Sequence, residues 1–184
     1  MGEVKTLYAV ALTFSGEIAD MFGRLRKDYQ QYMKYTIVPH ITLVYPFAPG
    51  VGMSIIVEKL EEVAKRTSPF TLVMSGIEYF EGGNNVVYVA IAIKQSVKEL
   101  HADLIRSLNG LIQEEYTDGN YNLEKFTPHM TIGEKIPEDV FPGIKQRLSS
   151  YKLYHESEIA DFSLFSEENG IWEPKRVFEL AGRK

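Results

Sequence analysis

Pro39-His40-Ile41-Thr42 and Pro128-His129-Met130-Thr131 repeat one pattern, Pro-His-apolar-Thr, at two distant places in the chain. Each is followed by another apolar residue, Leu43 or Ile132. The two histidines lie 89 positions apart in a chain of 184 residues that has only four histidines. Side chains alternate along a strand, so the histidine and the threonine of each motif project from one face. The repeat therefore predicts that an imidazole and a hydroxyl are delivered twice to a shared cleft.

The proline before each histidine indicates where the motif lies in its strand. Proline has no backbone N–H, so it is tolerated at strand starts and edges but not within a central ladder. Pro39 and Pro128 therefore predict that each histidine lies at a strand boundary or bulge that opens toward a groove. This expectation supports a cleft and leaves its chemistry open.

The sequence around the motifs predicts the same order of elements twice: strand, helix, motif strand, helix, strand. Ser15 is the expected N-cap of the first helix, and Ser96 with Glu99 forms a predicted capping box for the third. The strand and helix before the second motif follow their counterparts by about 80 residues. The predicted strands are 6–14, 35–45, 70–80, 86–93, 124–132, 153–165 and 175–180, and the predicted helices are 16–32, 53–66, 96–111 and 137–148.

This order predicts an α+β protein with a bilobal, duplicated fold. Two mainly antiparallel sheets, flanked by helices, would line a central groove. No linker rich in Pro, Gly or Ser divides the chain, so we expect residues 1–184 to form a single domain made of two pseudo-symmetric lobes.

Composition narrows the classes of partner. The net charge is −5, which argues against tight binding to long nucleic acid, although a pocket for one phosphate or a short RNA end remains compatible. The chain has no cysteine, which excludes disulfides and thiolate chemistry and favours a cytoplasmic location. No apolar run is long enough for a membrane span, so no membrane partner is expected.

Two histidines can divide the work of an in-line displacement at phosphorus. A neutral imidazole takes the proton of the attacking water, and an imidazolium on the other side protonates the departing oxygen. The threonine hydroxyls can donate to the non-bridging oxygens. This chemistry needs no metal and no cofactor. Two other interpretations stay open: a hydrogen-bonded His-x-Thr pair within a core, and a zinc site, which would need carboxylates from elsewhere in the chain.

The residues resemble the 2H phosphoesterases, a superfamily named for two His-x-Thr/Ser-x motifs that includes the RNA 2′,3′-cyclic phosphodiesterases, also called 2′-5′ RNA ligases. The similarity is strongest to the small bacterial YjcG-like phosphoesterases. It runs over nearly the whole chain, through the two motifs, Asn84–Tyr88, Phe126–Gly133 and the late segment from Trp172 to Gly182.

The resemblance implies a bilobal fold with the two motifs facing each other across a groove. It implies hydrolysis or transesterification of 2′,3′-cyclic phosphates or 2′-5′ phosphodiesters, as in RNA processing, without a metal. By match to the motifs, His40 would be the proton donor and His129 the proton acceptor, with Thr42 and Thr131 holding phosphate.

The chain departs from the RNA-active members after the second motif. Those members often carry an arginine there, whereas Gly133-Glu134-Lys135 stands in this chain. The carboxylate of Glu134 would place a negative charge close to the groove, which argues more against an RNA substrate than against phosphoester chemistry.

Several other residues are candidates for weaker roles. Tyr45 and Phe47 could stack a base at the groove mouth or close a hydrophobic lobe. Three lysines are candidate phosphate contacts, although surface lysines are usually solvated. We expect His101 and His155 to be ordinary solvated residues and Trp172 to pack a strand edge. The lysines are Lys34, Lys135 and Lys175.

Three functions follow from these observations. The first is a phosphodiesterase that acts on a small cyclic or 2′-5′-linked nucleotide or a short RNA end. The second is a non-catalytic protein that binds a nucleotide or RNA end in the same groove. The third is ligation of RNA ends, the reverse reaction, which the acidic net charge disfavours. The intact pair of histidines favours the enzyme, because lysine or arginine would serve binding alone.

Overall fold

The computed structural model describes residues 6–33, 37–114 and 123–182. These residues form nine strands and four α-helices, with one short 3₁₀ turn at Gln30–Tyr32 after the first helix. In chain order the elements are β1 (Tyr8–Thr13), α1 (Gly16–Lys27), β2 (His40–Pro49), α2 (Met53–Arg66), β3 (Phe70–Phe80), β4 (Asn85–Ile91), α3 (Gln95–Leu108), β5 (Ile112–Glu114), β6 (His129–Ile136), α4 (Phe141–Leu148), β7 (Tyr154–Ile159), β8 (Asp161–Glu168) and β9 (Ile171–Glu179).

The strands form two antiparallel sheets. One has the order β5-β2-β1-β8-β9 and the other the order β6-β4-β3-β7. In each sheet the motif strand pairs with an earlier strand: β2 pairs with β1, which α1 follows in the chain, and β6 pairs with β4, which α3 follows. The motif strands β2 and β6 lie against each other where the sheets meet. The predicted α+β fold with two antiparallel sheets is confirmed.

Alternation along β1 separates a large core from the groove. Val10 and Leu12 point into a hydrophobic core that draws residues from both sheets and all four helices. Ala9 and Ala11 point to the opposite face, where they pack with Phe165 and Trp172. Since alanine side chains are short, this face of the sheet leaves room above it.

Several predicted elements differ from the observed ones. The second motif strand is His129–Ile136 and not 124–132, and residues 37–39 before the first motif are not part of a strand. The first helix ends at Lys27, and the predicted strand 153–165 is two strands, β7 and β8, which belong to different sheets. The third helix begins at Gln95, with Lys94 at the N-cap position. Ser96 therefore lies inside the helix and the predicted capping box is wrong.

The ends of these helices have other contacts. Gln95 Nε2 donates to Glu99 Oε1 at 2.6 Å, one helical turn away. Ser15 does occupy the N-cap position of α1 with extended backbone angles, but its side chain makes no capping hydrogen bond.

The predicted turn at Asn169-Gly170 is present, and both residues have positive φ. Most of the predicted polar loop 114–122 lies outside the described residues. None of the helices in the described ranges is long and apolar enough to cross a membrane.

Candidate active site

A groove of about 230 Å³ lies where the two sheets meet. Both motif histidines and both motif threonines line it. One part of its wall is polar and the other apolar. The polar residues are His40, Thr42, Tyr45, His129, Thr131 and Glu134, and the apolar ones are Ala9, Ala11, Met33, Ile37, Pro46, Phe165 and Trp172. The shared cleft that the repeated motif predicts is therefore present.

The two histidines are held in the same way. His40 is the first residue of β2 and His129 the first of β6, as the preceding prolines predict. His40 Nδ1 lies 2.9 Å from the carbonyl oxygen of Val38, and His129 Nδ1 lies 2.7 Å from that of Thr127. A carbonyl can only accept, so each Nδ1 carries a proton and donates it two residues back. This tautomer leaves Nε2 as the nitrogen available to a substrate.

Enclosure in the groove lowers the pKa of both imidazoles. Desolvation is the main cause for His40, and the nearby charges of Arg26 and His129 add to it, so the pKa falls from 6.5 to about 4 despite the Val38 hydrogen bond. Desolvation also lowers the pKa of His129, and its hydrogen bond to Thr127 opposes this. In the free protein at neutral pH, both histidines are neutral and each Nε2 carries a lone pair.

Each motif strand carries a β-bulge directly after its threonine. Thr42 and Val44 of β2 pair with adjacent residues of β1, so Leu43 is extra. Thr131 and Gly133 of β6 likewise pair with adjacent residues of β4. A bulge shifts the alternation of side chains by one.

The bulges bring a third side chain of each strand to the groove. The two residues after each threonine are both buried on the core side of the strand, and the residue after them lies on the groove side again. That next residue is Tyr45 in β2 and Glu134 in β6, and both line the groove. The predicted groove contact of Tyr45 and the predicted proximity of Glu134 agree with this geometry.

Aromatic rings fix the orientation of the His129 imidazole. Phe80 and Tyr88 contact it edge to face, with ring centroids 5.1 and 5.2 Å away. Tyr88 Oη in turn donates to Glu78 at 3.0 Å, and burial together with this carboxylate raises the pKa of Tyr88 to about 12. Tyr88 is thus a neutral, fixed wall for the histidine.

Arg26 supports the segment that leads into the first motif. It extends from α1, and its Nη1 donates to the carbonyl of Ile37 at 3.1 Å. Its guanidinium also lies over the Phe22 ring, 5.7 Å from the centroid. Burial lowers the pKa of Arg26, yet a guanidinium remains charged at neutral pH. Arg26 was not predicted as a site residue, because an arginine in a helical sequence pattern carries no signal of contact with a distant motif.

Three of the predicted substrate or phosphate contacts are not supported. Phe47 is fully buried, with its ring centroid 6.2 Å from that of Tyr8, so it closes the core and its predicted contact with substrate is wrong. Lys135 is exposed at positive φ and is not among the residues that line the groove. Lys175 pairs with Glu168 and Glu173 on the surface. Lys34 lies outside the described residues.

The predictions for the two other histidines and for Trp172 are confirmed only in part. The prediction that His101 is solvated is wrong, because the residue is only 1% exposed. His155 is half-buried on β7, at the far edge of the second sheet from β6. Trp172 lies on the edge strand β9, as expected, but it also lines the groove. The alternation of small and large residues in β1 was the signal that could have located this apolar wall.

Comparison with known proteins identifies the family. The sequence profile of the 2′-5′ RNA ligase superfamily matches residues 14–171. The chain belongs to this superfamily. The expected membership of the 2H phosphoesterases is thereby confirmed.

Relatives in the superfamily agree over most of their length. A Bacillus cytotoxicus protein named "putative phosphoesterase" is 34% identical over 167 residues, which is 89% of this chain and 90% of the relative. A Bacillus anthracis protein of the same name is 32% identical over 169 residues, with the same shares covered. These relatives classify the chain as a phosphoesterase by homology.

Solved structures of low sequence identity share the fold. The protein TT0787 of Thermus thermophilus matches with a TM-score of 0.69 at 18% identity, over 97% of this chain and 100% of that one. LigT of E. coli complexed with 3′-AMP matches with a TM-score of 0.64 at 15% identity, over 96% and 98% of the two chains. The bilobal architecture is therefore that of LigT.

Proposed function

We propose that this protein is a metal-independent phosphodiesterase that hydrolyses a 2′,3′-cyclic phosphate or 2′-5′ phosphodiester of a nucleotide or short RNA end. The observation that carries the proposal is the matched pair of histidines in one groove. Each donates its Nδ1 proton to a backbone carbonyl, which leaves Nε2 as the nitrogen for proton transfer, and both residues line the same groove. An acid and a base on either side of one phosphorus atom is what an in-line displacement requires.

The reaction balances with these two groups. His129, as the proton acceptor, takes a proton from water at Nε2 while the water oxygen bonds to phosphorus. His40, as the proton donor, gives a proton from Nε2 to the departing ribose oxygen as its bond to phosphorus breaks. The histidines end with their protonation states exchanged, and solvent restores them. Each transfer is typically worth about 10²–10⁴ in rate.

Protonation of the proton donor, His40, requires bound substrate. His40 is neutral in the free protein, since its pKa is about 4. The negative charge of a phosphodiester beside the imidazoles raises their pKa values and allows one of them to hold a second proton. The groove thus acquires its acid only when an anion is bound.

The threonines complete the phosphate site. Thr42 and Thr131 line the groove one strand repeat beyond their histidines, on the same face. Their hydroxyls can donate to the non-bridging oxygens, where charge must be held during the displacement. Among the residues that the structure describes, no cluster of three His, Cys, Asp or Glu side chains could hold a metal ion. In the proposed mechanism, the histidine and threonine side chains supply the acid, the base and the charge stabilisation.

The apolar wall of the groove favours a nucleoside as the attached group. Phe165, Trp172 and the two alanines of β1 offer an apolar surface, and Tyr45 adds an aromatic ring. Aromatic rings stack on exposed bases in many nucleic-acid-binding sites. LigT, which has the same fold, has been crystallised with 3′-AMP, ATP and NADP⁺. A volume of about 230 Å³ and the carboxylate of Glu134 favour one nucleotide over a long polyanion.

Two alternatives use the same groove. A non-catalytic protein that binds nucleotides or RNA ends would keep the apolar wall but would have no need of two matched Nε2 atoms. An RNA-end ligase would bring a second polyanion to the site, against the net charge of −5 and the Glu134 carboxylate.

The test uses the purified protein in EDTA with 2′,3′-cyclic mononucleotides, oligonucleotides ending in a cyclic phosphate, and 2′-5′-linked dinucleotides. His40→Ala and His129→Ala are compared with the wild type, and His155→Ala serves as the matched control. We expect turnover of at least one substrate by the wild type and the control, and loss of turnover in both motif variants. Trp172, the only tryptophan of the chain, reports binding by fluorescence in the same samples.

Each other outcome selects an alternative. Binding without turnover in the wild type would replace the enzyme by the binding protein. Joining of a cyclic-phosphate end to a 5′-hydroxyl end would establish the ligase. Activity only after addition of zinc would overturn the metal-independent mechanism.

A further inference from the structure

His101 is a buried histidine outside the groove. It lies on α3, is 1% exposed, and belongs to a helix that packs against the motif strand β2. Its Nδ1 lies 2.6 Å from the carbonyl oxygen of Leu43. Its ring stacks on Phe126 with the centroids 3.7 Å apart and the planes within 13° of parallel. The residue is therefore fixed both by a hydrogen bond and by a ring contact.

These two contacts join the two motifs. Leu43 is the extra residue of the bulge in β2, between Thr42 and the residues that lead to Tyr45. Phe126 directly precedes Thr127, whose carbonyl accepts the Nδ1 proton of His129. One side chain thus contacts the bulge of the first motif and the segment that positions the histidine of the second.

The bulge needs such a partner. Within the described ranges, strand β2 pairs with β5 at Phe47–Pro49 only, and the strand partner of His40–Val44 is β1. A bulge interrupts the ladder and leaves backbone groups without their regular partners. The His101 imidazole supplies the donor for the Leu43 carbonyl, and so holds the bulge in the form that turns Tyr45 toward the groove.

A packing role alone does not account for an imidazole here. Since Nδ1 donates, Nε2 carries a lone pair, and this atom is buried without a hydrogen-bond partner among the described residues. A buried acceptor without a partner costs free energy, which a phenylalanine of similar shape would avoid. Burial also lowers the pKa of His101, in keeping with a neutral ring. The feature that phenylalanine lacks is the Nδ1–H donor.

We propose that His101 is a positioning residue that fixes the bulge of the first motif against the approach to the second, and thereby sets the geometry of the two-histidine site. This inference rests on the proposed function for its effect on turnover. It needs no contact between His101 and substrate. Its test must therefore separate a change in site geometry from a change in stability.

The experiment compares His101→Phe with His101→Asn. Phenylalanine keeps the stacking on Phe126 but removes the donor, whereas asparagine places an amide N–H near the position of Nδ1 and removes the ring. His155→Asn controls for loss of a histidine elsewhere. Thermal unfolding establishes that each variant is folded at the assay temperature. Turnover is measured on the substrate found with the wild type, and kcat and KM are separated.

A positioning role predicts a fall in kcat of about 10²-fold for His101→Phe, because small displacements of reacting groups have effects of that order. It predicts a substantial rescue in His101→Asn, even though this variant loses more packing and unfolds at lower temperature. Equal kcat in folded His101→Phe and wild type would overturn the inference, as would His101→Asn falling as far as His101→Phe.

A second measurement does not depend on turnover. Imidazole nitrogen resonances of His40 and His129 are followed by NMR while inorganic phosphate is added to wild type and His101→Phe. The inference predicts weaker phosphate binding and altered resonances of His40 in the variant. Unchanged binding and resonances would contradict it. If the wild type binds phosphate but turns over no substrate, the proposed function fails while this comparison still decides the role of His101.

Discussion

Tyr45 and Glu134 occupy corresponding positions in the two motif strands, five residues after His40 and His129, and both line the groove. Strict alternation would turn a fifth residue away from the face that the histidine occupies. The bulge after each threonine reverses this. Each motif strand therefore contributes a histidine and a threonine to the groove, but β2 adds an aromatic ring where β6 adds a carboxylate.

The carboxylate predicts discrimination against additional phosphates. Glu134→Gln keeps the shape of the side chain and removes its charge. We expect KM for a substrate with a second phosphate to fall by about threefold to tenfold, since a nearby like charge costs on the order of 1 kcal/mol at a solvated site. KM for a cyclic mononucleotide without a second phosphate should change less. Steady-state kinetics on the two substrates measure the ratio, and an equal change in both would argue against electrostatic discrimination.

The two histidine roles can be separated by the leaving group. A nucleoside p-nitrophenyl phosphodiester has a leaving oxygen that needs little protonation, so loss of the acid costs little on it. We expect His40→Ala to retain much more of its activity on this ester than on a ribose-leaving substrate, and His129→Ala to lose activity on both. The charge of Arg26 beside His40 would favour the opposite assignment. Selective rescue of His129→Ala would establish that His129 is the donor.

The threonine hydroxyls are predicted to act in the transition state. Thr42→Val and Thr131→Val remove one donor each at similar size, and we expect kcat to fall by about 10²-fold for a lost donor to developing charge. Thr42→Ser and Thr131→Ser keep the hydroxyl and should retain most of the activity. A valine variant with unchanged kcat and a raised KM would show that its hydroxyl only binds the ground state.

Stability should decrease in mild acid. Burial lowers the pKa values of His40, His101 and His129 below 6.5, so below that pH the unfolded chain binds more protons than the folded chain. The free energy of unfolding is therefore highest above pH 6.5 and falls as the pH drops toward the folded pKa values. Urea unfolding at about pH 7.5 and about pH 5 measures the loss.

A single substitution tests whether buried histidines cause the loss of stability in acid. His101→Phe has one fewer group to protonate, so its loss of stability between the two pH values should be smaller than that of the wild type. An equal loss in both proteins would show that His101 does not contribute to the acid effect.

The positions of the motif residues within their strands could be predicted because they depend only on neighbouring residues in the sequence. Histidine and threonine two residues apart share a strand face, and a preceding proline marks a strand start. Both expectations hold for His40 and His129, whereas the predicted strand bounds 35–45 and 124–132 began too early. The adjacent core-side residues of the two bulges are Leu43-Val44 and Ile132-Gly133. They did not reveal the bulges, because a bulge depends on the register of the partner strand.

Contacts between distant segments were not predictable in this way. Phe47 and Tyr45 are both aromatic and two residues apart, yet packing against Tyr8 places Phe47 in the core. His101 has polar neighbours on an amphipathic helix, which suggested solvent, while its actual partners are a carbonyl 58 residues away and a ring from a loop. Trp172 reaches the groove because β9 joins the sheet beyond β8, and only the strand order shows this.

The most direct measurement is a titration of the wild-type protein with inorganic phosphate, in which the Nε2 resonances of His40 and His129 are followed together by NMR. If one phosphate lies between the two imidazoles, both resonances shift with a single Kd, and the pKa values of both histidines rise on binding. If only one histidine responds, or the two respond with different Kd values, the histidines do not share a phosphate and the proposed two-histidine mechanism is contradicted.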